Sequence, residues 1–168
     1  MVIVYTSNTG FTKAYAEMLG KAEKMKVYEL DSLPADKEQE VFYMGPLMNG
    51  KIQGTDQALK RFTVKAVCGV GMSPAGPQIL STLSKVNYVP NAPMFYLQGG
   101  WAPDKVGWLK RRMVNAAAKS QREALLAKAN RRTRQEQAQL EFLIKGGNCV
   151  SYKNLDTIRN WLKEQREE

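Results

Sequence analysis

Four strand-forming residues, Val2-Ile3-Val4-Tyr5, run straight into Thr6-Ser7-Asn8-Thr9-Gly10-Phe11-Thr12 and then into a helical pattern over Thr12 to Lys24. This junction restricts the fold more than any other feature of the chain. A buried strand that ends in a hydroxyl-rich loop and opens a helix is the first half of a strand-helix-strand unit, and such units assemble around a parallel sheet. Four further apolar runs repeat the rhythm: Lys26 to Leu30, Val41 to Met44, Lys65 to Val70 and Met94 to Leu97. Gln57 to Phe62 and Gln78 to Lys85 are long enough for short helices, whereas the stretch between Leu30 and Val41 leaves room only for an abbreviated crossover. After the fifth run the alternation stops. Residues 101–150 are rich in Ala, Arg, Lys and Gln and read as one or two helices inserted before a last helix at Asn154 to Gln165. That last helix is expected to be N-capped by Asn154, with Ile158, Trp161 and Leu162 facing the core. The expectation is one α/β domain over residues 1–168, carrying a basic helical insertion at about 101–150.

Composition removes several chemistries. The chain has no histidine, so imidazole acid–base catalysis, Ser-His or Cys-His nucleophile pairs and imidazole zinc sites are excluded. Cys68 and Cys149 are too few and too far apart for a redox pair or a metal cage. Cys68 reads as a small buried hydrophobe, and Cys149 has no base to activate it. The carboxylates show no paired or clustered spacing, so neither catalytic residues nor metal ligands are expected. No apolar run approaches the ~18 residues of a membrane span and no signal sequence is apparent, so a cytoplasmic setting is expected. Met25, Met44, Met72 and Met94 read as packing residues.

The chemistry begins at the first junction. A loop between a strand and a helix N-terminus aims backbone N–H groups at one point, adds hydroxyl donors and lies at the positive end of the helix dipole, which suits a phosphate. Gly10 lets the backbone turn closely there. The segment lacks the Gly-Lys-[Ser/Thr] ending of a triphosphate loop and the Gly-x-Gly-x-x-Gly of a dinucleotide fold, so a single phosphate fits better. The competing reading is a capped turn, which accounts for one hydroxyl but not for this density of donors.

Ile3-Val4-Tyr5-Thr6-Ser7-Asn8-Thr9-Gly10-Phe11-Thr12, followed by Ala16 and Leu19, resembles the flavodoxin signature of two aliphatics, an aromatic, then Ser, Gly and Thr at fixed spacing. The resemblance covers residues 1 to about 100 and the last helix. It implies a flavodoxin-like, doubly wound five-stranded parallel sheet in the order 2-1-3-4-5, with FMN at the carboxyl ends of the strands. On this likeness Ser7, Asn8, Thr9, Gly10, Phe11 and Thr12 surround the FMN phosphate. Pro46, Leu47, Met48, Asn49, Gly50 and Lys51 form a loop on one side of the flavin ring, the alternative being an ordinary Asn-Gly turn. Gly71, Met72, Ser73, Pro74 and Gly76 pass along its other edge. The insertion lies outside the short flavodoxin pattern, and its position resembles the group that includes menaquinone-dependent protoporphyrinogen oxidase. The implied function is an FMN-binding redox protein that moves electrons or hydride to a quinone or small-molecule substrate. An electron carrier serving a partner enzyme and a cofactor-free interaction module are the alternatives.

Two departures bear on mechanism. Neither ring-flanking loop carries Trp or Tyr, so the ring is expected to be less covered than in flavodoxins. Lys51, countered only by Asp56, is expected to favour negative charge on the reduced flavin and so to raise its potential.

Charge is local. Between Asp104 and Lys145 eleven Lys or Arg face four Asp or Glu, a net of +7, against +2 for the rest of the chain. Two readings of this segment stand: an amphipathic helix carrying Trp108, Leu109 and Met113 lies on an anionic membrane, or those side chains pack inward and the cations face water. An acidic protein partner is a third. Nucleic acid is disfavoured, because no motif or aromatic stripe accompanies Arg131, Arg132 and Arg134.

Overall fold

The computed structural model describes residues 1–102 and 108–167, with side chains 108–111, 113, 114 and 117 excepted. The elements in chain order are β1 (Val2–Tyr5), α1 (Phe11–Glu23), β2 (Val27–Glu29), β3 (Glu40–Met48), β4 (Lys51–Ile52), α2 (Thr55–Arg61) and β5 (Thr63–Gly71). They continue with α3 (Pro77–Val86), β6 (Met94–Gln98), β7 (Gly100–Trp101), α4 (Trp108–Ala127), α5 (Arg134–Lys145), β8 (Gly147–Asn148) and α6 (Asp156–Glu167).

Five strands pair in parallel in the order β2-β1-β3-β5-β6, and β4 adds antiparallel to the end of β3. This is the expected flavodoxin-like, doubly wound arrangement. Alternation along the strands supplies two cores, because successive strand residues point to opposite faces. Ile3, Tyr5, Phe42, Met44, Cys68 and Leu97 meet α1 and α6 on one face, through Leu19, Ile158 and Leu162. Val4, Val41, Tyr43 and Val67 meet Ala58, Phe62 and Val89 on the other. On the first face Phe42, Phe95 and Trp161 form a triangle of tilted rings with centroids 5.7 to 5.9 Å apart. Cys68 sits inside this core, and burial pushes its thiol well above its ordinary pKa, in keeping with a packing role.

The crossover between β2 and β3 is a single 3₁₀ turn, Leu30–Ser32, with Leu30 buried beneath it. Arg61 donates to the Leu33 carbonyl and pairs with Asp31, which ties this abbreviated connection to the end of α2. On the other face of the sheet, Glu23 at the end of α1 is buried and bridges Arg159 (2.7 Å) and Arg166 (3.2 Å) of α6.

Two local expectations are corrected. β3 continues through Gly45, Pro46 and Leu47 to Met48 instead of stopping at Met44, because β5 on one side and β4 on the other supply its partners. Asn154 does not cap the last helix. It lies in a 3₁₀ turn, Tyr152–Leu155, and its side-chain amide donates to Tyr15 Oη (2.6 Å) and to the Cys149 carbonyl (2.9 Å). The Tyr15 hydroxyl in turn donates to the Gln98 carbonyl at 2.6 Å. A tertiary polar knot has taken a side chain that local preference would assign to a cap.

The insertion is a helical hairpin. Thr133 and Glu136 form a reciprocal capping box at the start of α5 (3.2 and 2.9 Å), which is why the chain reverses there. The two ends of the insertion are drawn together by antiparallel pairing of Gly100 with Asn148 and of Trp101 with Gly147. Trp101, Ala118 and Leu143 form its small core, with Met72, Leu125 and Phe142 packed against them. The Trp108, Leu109 and Met113 side chains lie outside the described ones. Among the described residues no helix is long and apolar enough to cross a membrane.

Phe42 is fully buried and forms one corner of the ring triangle. Phe42→Ala is expected to lower the unfolding free energy by about 3–5 kcal/mol, read as a shifted urea midpoint at unchanged slope.

Candidate functional site

The loop after β1 is fastened at its base. Thr6 N–H donates to the Met44 carbonyl at 3.0 Å, extending the β1–β3 ladder by one bond. The Tyr43 hydroxyl donates to the Gln53 carbonyl (2.6 Å) and lies 3.0 Å from Thr6 Oγ1, and burial pushes its pKa up to about 12. Further along, Ser7 Oγ accepts from Gly10 N–H at 3.1 Å. Gly10 then enters α1 at φ 91°, a left-handed conformation that favours glycine. α1 has no side-chain cap and no acidic residue in its first turn. Its leading N–H groups therefore lack intrahelical acceptors at the positive end of the dipole.

The second segment is a hairpin. Pro46, Leu47 and Met48 are the end of β3, Met48 pairs with Lys51, and Asn49 and Gly50 turn the chain with φ of 50° and 77°. Two consecutive positive φ values make the tight turn that joins twisted strands. The Asn-Gly turn and the site-forming segment are thus one feature. Asn87, at the end of α3, pins this hairpin from outside: it accepts from Ile52 N–H (2.8 Å) and donates to the Gly50 carbonyl (2.7 Å). Across the gap, Asn8 Nδ2 lies 3.4 Å from Met48 Sδ.

The third segment follows β5. The Met72 carbonyl accepts from Gln98 (3.1 Å) and Gln139 (3.4 Å), and the Ser73 carbonyl accepts from Tyr96 Oη (2.7 Å). Tyr96 is buried, which raises its hydroxyl pKa far above the ordinary value. One of these fastenings, Gln139, comes from α5, so the insertion helps to hold the site.

All three segments meet at one cleft of about 320 Å³. Asn8, Thr9, Phe11 and Thr12 line it from the first; Pro46, Leu47, Met48, Asn49 and Gly50 from the second; and Gly71, Met72 and Ser73 from the third. The other named residues are outside the lining. Ser7 and Gly10 shape the turn, Lys51 is exposed on β4, Pro74 is exposed, and Gly76 immediately precedes α3. Sequence reasoning missed Val70, Gly100, Trp101, Ser120 and Gln121, which complete the wall.

Gly99-Gly100-Trp101 carried a usable signal. A Cβ on Gly100 would fall 2.3 Å from the Phe11 ring and 2.6 Å from the Gly147 carbonyl, so only glycine lets β7 cross the ring of α1's first residue. That crossing carries Trp101, nearly buried, to the cleft. The aromatic wall expected to be missing from the two loops is supplied by the insertion. Ser120 and Gln121, from α4, had no such signal.

No Asp, Glu, Lys or Arg is among the described lining residues. A negative group here would be held by amides, hydroxyls and the α1 dipole, and no carboxylate opposes it. Among the described residues no cluster of His, Cys, Asp or Glu could hold a metal ion. No family model matches the chain, and no curated protein matches it either.

Asn87→Ala removes the partners of the Ile52 amide and the Gly50 carbonyl. It is expected to cost about 1–3 kcal/mol and to speed hydrogen exchange at Ile52 while core amides of β1 stay protected. Tyr43 sets a pH dependence. Its ordinary pKa of 10.0 is raised to about 12 in the fold, so across that interval the unfolded chain binds fewer protons than the folded one. Stability is expected to be complete below pH 10 and to fall as pH climbs towards 12. Tyr43→Phe should flatten part of that slope in urea titrations at stepped pH.

Proposed function

We propose that this protein binds FMN non-covalently in the cleft and works as a redox protein. The observation that carries the reading is the convergence of the β1, β3 and β5 loops on one cleft with no charged residue in its described lining, beside a helix N-terminus that no side chain caps. The cleft lies at the carboxyl ends of the strands where the sheet order reverses, between β1 and β3, which is the ligand position of doubly wound sheets. Its volume lies at the lower end of the roughly 300–1,000 Å³ common for cofactor sites. Membership of the flavodoxin group rests on the residues from Ile3 to Thr12 together with this topology.

Thr9, Thr12 and the amides that open α1 would hold the phosphate. The Asn49-Gly50 hairpin and Gly71 to Ser73 would border the ring, and Trp101 would give it an aromatic neighbour. Bound there, the flavin would supply one- and two-electron transfer. The chain's own contribution is to position the ring, limit water and set its potential. With no carboxylate in the described lining, negative charge on the reduced ring meets no local repulsion, so the potential should lie above that of an acidic flavodoxin. Lys51 is exposed outside the lining, so the missing carboxylates rather than a facing lysine set this potential.

Titration of the purified protein with FMN and with riboflavin, read by tryptophan quenching, tests the proposal. FMN is expected to bind at least about tenfold more tightly, since hydrogen bonds to a charged phosphate contribute about 1.5–3 kcal/mol. Trp101→Phe should lose a large part of the quenching. Equal affinity for the two would remove the phosphate site, and binding of neither would leave a cofactor-free module. Turnover of small acceptors by the loaded protein without any partner protein would make it an enzyme rather than a carrier.

A further inference from the structure

The insertion's cations are unevenly compensated. Lys119 pairs with Glu123, Lys128 with Glu136 and Lys145 with Glu141. Arg132 is absorbed by Gln137 (3.0 Å) and by the carbonyls at the end of α4. That uses the three carboxylates of residues 108–145. Arg112, Arg122, Arg131 and Arg134 are left without an acidic partner among the described residues. Arg112, Arg131 and Arg134 are exposed and Arg122 is half-buried.

Their placement is costly to the isolated protein. Arg134 is the first residue of α5, where the helix dipole is positive, and Arg131 and Arg132 crowd the same turn. On α4, Arg112, Lys119 and Arg122 fall within one sector of about 80° at 100° per residue. Ser120 and Gln121, which line the cleft, lie about 120° and about 140° from the centre of that sector, on the other side of α4. The uncompensated face therefore runs along the side of α4 turned away from the cleft, towards Arg131 and Arg134 at the tip of the hairpin. Its described apolar side chains do not gather into a membrane-inserting stripe: Leu126 lies at the tip and Ile144 at the base, the opposite end of the hairpin.

We infer that the helical hairpin, through Arg112 and Arg122 on the side of α4 turned away from the cleft and Arg131 and Arg134 at its tip, docks an acidic protein surface. Carboxylates from a partner supply the counter-charge these guanidiniums lack and offer the planar, two-pronged pairing that arginine favours. Docking is steered by the long-range field, so it is fast at low salt and weak at high salt. The inference does not require that the cleft hold a flavin.

The probe is a purified acidic [2Fe–2S] ferredoxin, with basic cytochrome c and phosphatidylserine vesicles as comparators, each titrated by biolayer interferometry against the immobilised full chain. Ferredoxin is expected to bind, and to lose at least about tenfold in affinity between about 20 and about 200 mM salt. The variant Arg112→Gln, Arg122→Gln, Arg131→Gln, Arg134→Gln should lose at least about tenfold in affinity at the lower salt. The charge-matched variant Lys21→Gln, Lys26→Gln, Lys60→Gln, Lys85→Gln should stay within about twofold, with the circular dichroism of both variants as the check on folding. The inference is overturned by absence of ferredoxin binding at low salt, by equal losses in the two variants, which would mean bulk charge alone, or by vesicle binding that exceeds ferredoxin binding and disappears in the arginine variant. Because the readout is binding and not colour or turnover, failure of the flavin reading leaves this result interpretable.

Discussion

The pairing of β1 with β3 is the constraint on which the rest of the molecule depends. The two strands run in register from Val2 with Val41 to Tyr5 with Met44, and the ladder gains one more bond from the Thr6 amide to the Met44 carbonyl. Chain order jumps here, from β1 outward to β2 and then back to β3, so the helices on the two sides diverge and leave a gap at the carboxyl ends of the strands. Tyr43 closes the floor of that gap by linking Thr6 to Gln53, which holds the loop after β1 and the hairpin after β3 at a fixed separation.

Around this hinge the walls are secured from elements remote in sequence. Asn87 holds the hairpin, while Gln98, Gln139 and Tyr96 hold the carbonyls after β5. Tyr15 and Asn154 join α1, the end of β6 and the return from the insertion. These fastenings use neutral side chains and backbone carbonyls. Such a frame gives a cleft its shape without giving it charge, and leaves the electrostatics of whatever it holds to the helix dipole and to the basic hairpin alongside.

The strands were legible because short continuous apolar runs are a local consequence of burial on both faces of a parallel sheet. Their ends were less so. Gly45-Pro46-Leu47-Met48 reads as loop by composition, yet it continues β3 because β5 and β4 lie on either side to complete the hydrogen bonds. Asn154 has the composition of a cap and instead serves a tyrosine far away along the chain. Most of the cleft lining followed from the strand-loop junctions. Trp101, Ser120 and Gln121 did not, since they reach the cleft only after a helical hairpin has folded back and been closed at its base by β7 and β8.

By itself the sequence determined the layering: short apolar runs separated by helix-length polar stretches have few ways to bury themselves other than a doubly wound sheet, and local hydroxyl and glycine content marked where its working edge would lie. Only tertiary structure decided what completes that edge. The ring of Phe11 against Gly100, the hairpin pinned by Asn87 and the aromatic wall from Trp101 are contacts between residues far apart in the chain. Such contacts leave no periodicity to read, because they arise from where whole elements pack and not from the preferences of the residues along any one of them.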